Sequence, residues 1–474
     1  MDVPPIQDNA RSQTLDYGRA PTRLHSIVRA MRHRNYRLFF AGQIVSLCGT
    51  FLTQVAMVWL VYHITHSGKI LGFTAFAGQI PSFLLGPFAG VWVDRLNRRR
   101  LIVITQTLAM LQSFALAALL TVYPHSDSDH HQMVIVVGGL ITLAFIQGLI
   151  NAFDMPGRQA FLVEMVTDRD DLPNAIALNS TMVHGARLVG PALAGFLIHY
   201  TGARWCFFLD GCSYIAVIAA LLAMRLPPPK PRRQRESVLT ELREGFKYVW
   251  DFAPIRAMLL LMALISLTGI PAFTVLMPVF AKGLTPSSIP DSETLGFLMG
   301  ASACGALVGA IYLAARKSVV GLGRVIAIAA AVFGASLIAF SFSHQLWLSI
   351  IILPLGGCAM LINFASANTV LQTLTEDEKR GRVMSFFTMA FVGMTPWGNL
   401  LAGTASDALG HDMLGASRTV RIAGVVCILA AISFALKLPG LRKVVRPIYG
   451  EKGLLPASVA TGLETATEMV QQEP

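Results

Sequence analysis

Twelve stretches of about twenty apolar residues, separated by short polar connections, leave this chain few ways to fold. They fall at about 38–62, 71–93, 101–122, 133–153, 176–198, 204–225, 255–280, 294–315, 322–342, 346–370, 384–407 and 416–438. A block of that length crosses a hydrocarbon core about 30 Å thick as a helix. No water is available there to bond exposed amides, and the blocks are too long and too evenly apolar for barrel strands. The expectation is an all-α polytopic membrane protein with twelve transmembrane helices. Charged residues make up only 14% of the chain, against about 25% in soluble proteins, which excludes an ordinary soluble enzyme.

The net charge of +11 suggests nucleic acid only until the charges are located. If the N-terminus is cytoplasmic, the inner segments carry 32 Lys and Arg and the outer loops 5, with Arg187 left inside a span. That bias places both termini in the cytoplasm and accounts for the charge without a nucleic-acid partner. The six cysteines lie in apolar blocks and form no CxxC pair, so neither a zinc site nor a disulfide framework is expected. The organisation predicted is an N-tail over 1–37, a six-helix half over 38–225, a linker over 226–254, a second half over 255–438 and a C-tail over 439–474. The first span is expected to be retained, because no cleavage site follows it. Within the linker, Val238 to Trp250 has the spacing of a helix lying on the membrane surface. The tail is expected to be disordered.

The two halves look like repeats of one unit. Leu149-Ile150-Asn151 recurs as Leu361-Ile362-Asn363, and Gly190, Leu193, Ala194 and Gly195 recur as Gly398, Leu401, Ala402 and Gly403. Parallel repeats of this kind place a substrate site at their interface near the midplane. Glycines five residues apart cannot line one helix face, so Gly190 and Gly195 are expected to admit different neighbours, as are Gly398 and Gly403. Pro191 removes one helical hydrogen bond, and these positions read as either tight packing or a hinge.

After the second span the chain reads Gly90-Val-Trp-Val-Asp94-Arg95-Leu-Asn97-Arg98-Arg99, which resembles the GxxxDRxGRR loop of the major facilitator superfamily. Asn35-Tyr36-Arg37, Pro156-Gly157-Arg158 and Arg187 with Gly190-Pro191 are similar to the bacterial branch that holds the enterobactin exporter and macrolide efflux proteins. The resemblance implies two six-helix pseudo-repeats in the major facilitator fold and a place in the bacterial inner membrane. It also implies that Gly90, Asp94, Arg95, Arg98 and Arg99 form a conformational latch. Asp94 is positioned to meet the N-terminus of span 11, where unpaired amides carry partial positive charge; the alternative is that the arginines only fix topology. Asn97 stands where the family has Gly and is expected to keep a left-handed turn.

Charges inside the membrane are costly and mark candidate sites. Arg187 either pairs with Asp210, binds backbone and amide oxygens, or meets an anionic part of a substrate. His184, one turn away, and Asp210 are the candidates for carrying a proton. Gln54, Gln147 and Asn363 are candidate polar lining. No Walker A sequence and no nucleophile-base constellation is present, so an enzyme, a cofactor and a catalytic metal are not expected. The expected function is secondary active export of small amphipathic molecules, of the drug-efflux type, by proton antiport with alternating access and as a monomer in the lipid bilayer. The alternatives are a dedicated siderophore exporter, a lysophospholipid flippase and a transport-dead membrane receptor.

Overall fold

The computed structural model describes residues 29–123, 130–166, 168–225, 246–286, 288–316, 318–376 and 379–451. The side chains of residues 87, 90, 91, 94, 95, 169 and 451 lie outside that description, as do the whole of the tails 1–28 and 452–474 and the linker 226–245. Among the described residues the chain is helical throughout, with no strand. The first half is α1 Arg34–Thr65, α2 Gly68–Arg95, α3 Arg98–Val122, α4 His130–Met165, α5 Leu172–Thr201 and α6 Ala203–Ala223. The second opens with α7, built from Ala253–Leu264, a π turn Ile265–Gly269, Ile270–Thr274 and Met277–Leu284. It continues with α8 Asp291–Ala315, α9 Leu322–Ser341 and α10 Leu346–Leu374. Helix α11 is Arg380–Thr388, a π turn Met389–Gly393 and Thr395–Leu409, and α12 is Asp412–Glu451. Ten of these rods are long and apolar enough to cross a membrane on their own description. The other two are α2, whose last turns are only partly described, and α11, which its π turn interrupts.

Several helices run past the apolar windows. Helix α4 continues to Met165, so Asp154 and Arg158 stand inside a helix and not in a loop. Helix α12 continues through Pro439 and Pro447 for 40 residues, which puts regular structure over the first part of the expected disordered tail. At the linker, residues 246–251 are helical, and the rest of the expected surface helix lies outside the described residues.

In the first half α1 packs on α5 and α6, α3 on α4 and α6, and α2 on α4. The second half repeats this with α7 on α11 and α12, α9 on α10 and α12, and α8 on α10. Between the halves, the extensive contacts are α2 with α11 and α5 with α8. They concentrate at one face of the molecule, called here the far face because both described chain ends lie at the opposite, terminal face. Towards the terminal face the halves part. The opening segment of α11, Arg380–Thr388, touches helices of its own half. Beside Gly86, Gly185 and Gly381 there is open space.

Equivalent glycines of the two repeats make equivalent contacts. A side chain at Gly190 would strike Phe51 of α1, and one at Gly398 would strike the Leu267 carbonyl of α7, each the first helix of its own half. A side chain at Gly195 would meet the Ser292 carbonyl of α8 at 2.7 Å, and one at Gly403 the Gly68 carbonyl of α2. Those are the second helices of the opposite half. The pairing extends one residue further, since Gly296 sits on the Pro191 carbonyl and Gly72 on that of Asn399. Such contacts bring helix backbones together in lipid, where no hydrophobic force favours one apolar surface over another.

At the terminal face a short 3-10 turn, Arg29–Arg32, is strapped to the start of α5. The buried Asp171 carboxylate receives Arg32 at 2.6 Å, His33 at 2.9 Å and Arg29 at 3.4 Å. Ala30 N–H donates to Asn174 at 2.9 Å. Burial pushes the Asp171 carboxyl up, but the hydrogen bond from His33 and the Arg32 and Arg29 charges outweigh it and hold the group below its ordinary value.

A folded-state value below the unfolded one means that the Asp171 contacts stabilise the strap above the ordinary carboxylate pKa of about 3.9 and are lost as the pH falls through the lower value. A nitroxide at position 31, in a background without native cysteines, is therefore expected to stay immobilised from about pH 8 to pH 5 and to loosen only below about pH 4. In Asp171→Asn it is expected to be mobile throughout. The crossing of α8 and α10 gives a second test, because a side chain at Gly305 would run into the Pro354 backbone. Gly305→Val is expected to cost about 1–3 kcal/mol and lower the melting temperature in detergent. Gly138→Ala, in open space, is expected to be neutral or slightly stabilising.

Candidate functional site

Helix α5 presents two unlike faces. At about 100° per residue, Val189, Leu193, Phe196 and Tyr200 lie about 180–240° around the helix from Arg187, and all four are exposed apolar side chains. That stripe meets lipid. Arg187 is on the opposite side with Ser180, His184 and Pro191, and it is exposed although it sits mid-helix. It therefore faces the space between the halves. Its guanidinium lies over the Phe51 ring of α1, 5.8 Å from the centroid. Among the described residues no carboxylate pairs with it. Gln54, one turn further along α1 than Phe51, is also exposed.

Of the three alternatives for Arg187, the pair with Asp210 is not formed. Asp210 is buried in α6 and faces away from the cavity, into the first half. Thr53 of α1 and Ser113 of α3 both donate to its Oδ2, at 2.8 and 2.9 Å. Its Oδ1 is buried without a hydrogen-bond partner among the described residues. The separation follows from helix length: Arg187 is mid-way along α5, whereas Asp210 is two turns from the start of α6, on a face that α1 and α3 cover.

The second half does not repeat the cation. At the repeat spacing, Arg187 corresponds to Thr395 and His184 to Val392. Thr395 bonds Ser266 of α7 at 3.0 Å. Ser266 also donates to the Phe391 carbonyl, so the π turns of α7 and α11 are joined directly. Phe364 of α10 stacks against Phe391 and Phe387 with centroids 4.3 and 5.2 Å away. The first half thus has a guanidinium and an imidazole at this position, and the second a hydroxyl pair beside an aromatic cluster.

Other predicted residues have structural partners. Asn363 is buried and donates to the Ile326 carbonyl of α9 at 3.0 Å, so it does not line the cavity. Gln147 donates to Asn151, one turn on, at 3.1 Å. Asp94 and Arg95 are in the last turn of α2 and Gly90 one turn earlier, their side chains outside the described residues. Arg98 bonds the Ala160 carbonyl at 2.8 Å and Glu164 at 2.9 Å, both on α4, and Arg99 bonds the Leu222 carbonyl of α6 at 2.7 Å. These partners all belong to the first half. Asn97 has φ −69° and caps α3 by accepting from Arg100 N–H, so it replaces the expected left-handed turn with an N-cap.

Sequence reading passed over one buried cluster. Asp154 receives Arg158 at 2.5 Å, Thr105 at 2.7 Å and Gln106 at 2.8 Å, and joins α3 to α4. The signal was an acid and a base four residues apart, on one helix face, at the edge of an apolar window.

Residues 26–447 match the transmembrane secretion effector family. The chain is 26% identical to the staphyloferrin A transporter of Staphylococcus aureus, over 84% of this chain and 95% of that protein. It is also 26% identical to the multidrug efflux pump Tap of Mycolicibacterium fortuitum, over 84% and 93% respectively. The crystal structure of the nucleoside transporter NupG superposes with a TM-score of 0.66 at 13% identity, over 85% of this chain and 99% of that one. The fold, the repeat contacts and these matches agree: the chain belongs to the transmembrane secretion effector family of the major facilitator superfamily, as a membrane transporter of small molecules and not an enzyme.

Proposed function

We propose that this transporter exports small amphipathic molecules bearing an anionic group, from the cytoplasm across the bacterial inner membrane, by alternating access coupled to protons. The observation that carries the reading is Arg187, a mid-membrane guanidinium turned to the space between the halves without a carboxylate partner among the described residues. A charge kept there at such cost serves the cargo or its coupling. Arg187 and His184 bind the anionic group, and the apolar surface opposite, with Phe364 and Phe391, takes the rest. The terminal face, open here, is the cytoplasmic one by the Lys and Arg bias, so the cavity is poised to load from inside. The 38–225 and 255–438 halves rock as units about the glycine crossings, and Asp94 holds the terminal face when it closes. Asp210 carries the proton: it is a buried carboxylate with two hydroxyl donors and no cation partner among the described residues, where the charged form is costly and a proton is readily taken up. The siderophore reading is favoured over broad drug efflux by the cavity's positive charge, with the staphyloferrin A transporter among the relatives.

The test is accumulation of cationic, neutral and anionic compounds, siderophores included, in efflux-deficient bacteria expressing the chain, with and without a protonophore. Anionic amphipaths are expected to be excluded until protonophore is added. Arg187→Ala is expected to raise the concentration giving half-maximal export of those compounds by about tenfold or more, and Asp210→Asn to abolish the protonophore-sensitive component. Equal loss of export for cationic and anionic compounds in Arg187→Ala would remove that residue from the cargo site. Export of lipid alone would replace the reading with a flippase.

A further inference from the structure

Among the described residues, the carboxylate contacts that cross the far-face seam at Asp291, Asp407 and Asp412 have the same polarity. The carboxylates belong to the second half and the donors to the first. Tyr62 of α1 donates to Asp412 at 3.2 Å, and His63 lies 3.7 Å from Asp291. The densest of these contacts is Asp407. It receives Ser67 Oγ at 2.6 Å, Gly68 N–H at 2.7 Å and Lys69 N–H at 3.0 Å. Gly68 and Lys69 open α2, so two of the four amides that a helix start leaves unpaired are bonded by a side chain from the opposite half. The other two are covered within the first half: Ser67 Oγ accepts Ile70 N–H at 3.3 Å and Thr65 Oγ1 accepts Ser67 N–H at 3.3 Å.

Asp407 is badly placed for its own helix. It sits in the last turn of α11, where the helix dipole disfavours an anion. The N-terminus of α2 supplies the partial positive charge and the donors it lacks, and the two helices come close enough because Gly403 rests on Gly68 and Gly72 on Asn399. Since α2 and α11 are antiparallel, the last turn of α11 lies beside the first turn of α2, and the last turn of α2 is at the same face as the first turn of α11. At the terminal face Asp94 occupies the last turn of α2, and there the start of α11 touches helices of its own half.

We infer that Asp407 is the positioning residue that holds the far face shut, acting as an interdomain cap on α2 that must be released for the outward-open state to form. Asp407 on α2 and Asp94 on α11 then make a reciprocal pair, of which one is engaged in each end state. The inference rests on the alternating-access reading but not on the cargo or the coupling ion.

Hydrogen exchange of the full-length protein in nanodiscs tests it. Asp407→Ala is expected to raise deuterium uptake at the far face, across residues 62–73 and 286–296, and to lower it across 172–187 and 380–388 as the terminal face closes. An outward-to-inward ratio raised about tenfold is expected, with Asp407→Asn intermediate. Gly72→Val, which forces α2 off Asn399 without touching the carboxylate, is expected to give the same reciprocal pattern. Uptake confined to 66–73 in Asp407→Ala, beside a reciprocal pattern in Gly72→Val, would make Asp407 a local cap and overturn the latch. Absence of reciprocity in Gly72→Val, with the protein folded, would overturn alternating access itself and the latch with it.

Discussion

Everything in this molecule depends on how closely helix backbones can approach one another where lipid offers no reward for burying apolar side chains. The answer is a small set of glycines, and their placement is not uniform. Gly190 and Gly398 bind each half to its own first helix, whereas Gly195 and Gly403 bind each half to the other. A spacing of five residues turns the second glycine well away from the first, so one helix serves both purposes. Helices α5 and α11 are thereby the shared walls of the assembly: each is part of one bundle and the bearing surface for the other.

Polar groups inside the membrane are dealt with in two distinct ways. Asp154 with Arg158, Asp210 with Thr53 and Ser113, and Asn363 with the Ile326 carbonyl are enclosed within a single half and hold helices in register. Arg187 is different, resting on an aromatic ring at the boundary between halves. The second half has replaced that cation with Thr395 and used the hydroxyl to join two π turns through Ser266. Irregular helical turns of this kind mark places where a rod changes direction. The first half is thus tied by ionic and hydroxyl contacts and the second is articulated.

The span count, the repeat and the mid-membrane place of Arg187 were legible because each is a matter of spacing or of cost. Apolar windows fix spans, and a charge in lipid stands out in any alphabet. Helix ends were less legible, because α4 and α12 continue past the membrane, where hydropathy no longer marks a helix. That shift hid Asp154 and Arg158, assigned to a loop when they belong to a buried face. Partners were not legible at all. Arg187 and Asp210 are near in sequence and both intramembrane, yet α6 turns the carboxylate towards α1 and α3, and only packing decides that. Asp407 carried a readable signal, an acid in the last turn of an apolar span, but its meaning needed the antiparallel neighbour that supplies the donors.

The polarity of the far-face seam bears on how the two repeats came to differ. By the repeat correspondence Asp407 matches His199 of α5 and Ser67 matches Asp291, so a molecule made of two first halves would set Ser67 beside His199, and one made of two second halves would set Asp291 beside Asp407. The former has no carboxylate for the Ser67 hydroxyl and the Gly68 and Lys69 amides, and the latter sets like charges together. The halves have become obligate complements, as donor and acceptor strips of one lock, and the chain that joins them guarantees that each meets its counterpart rather than its twin.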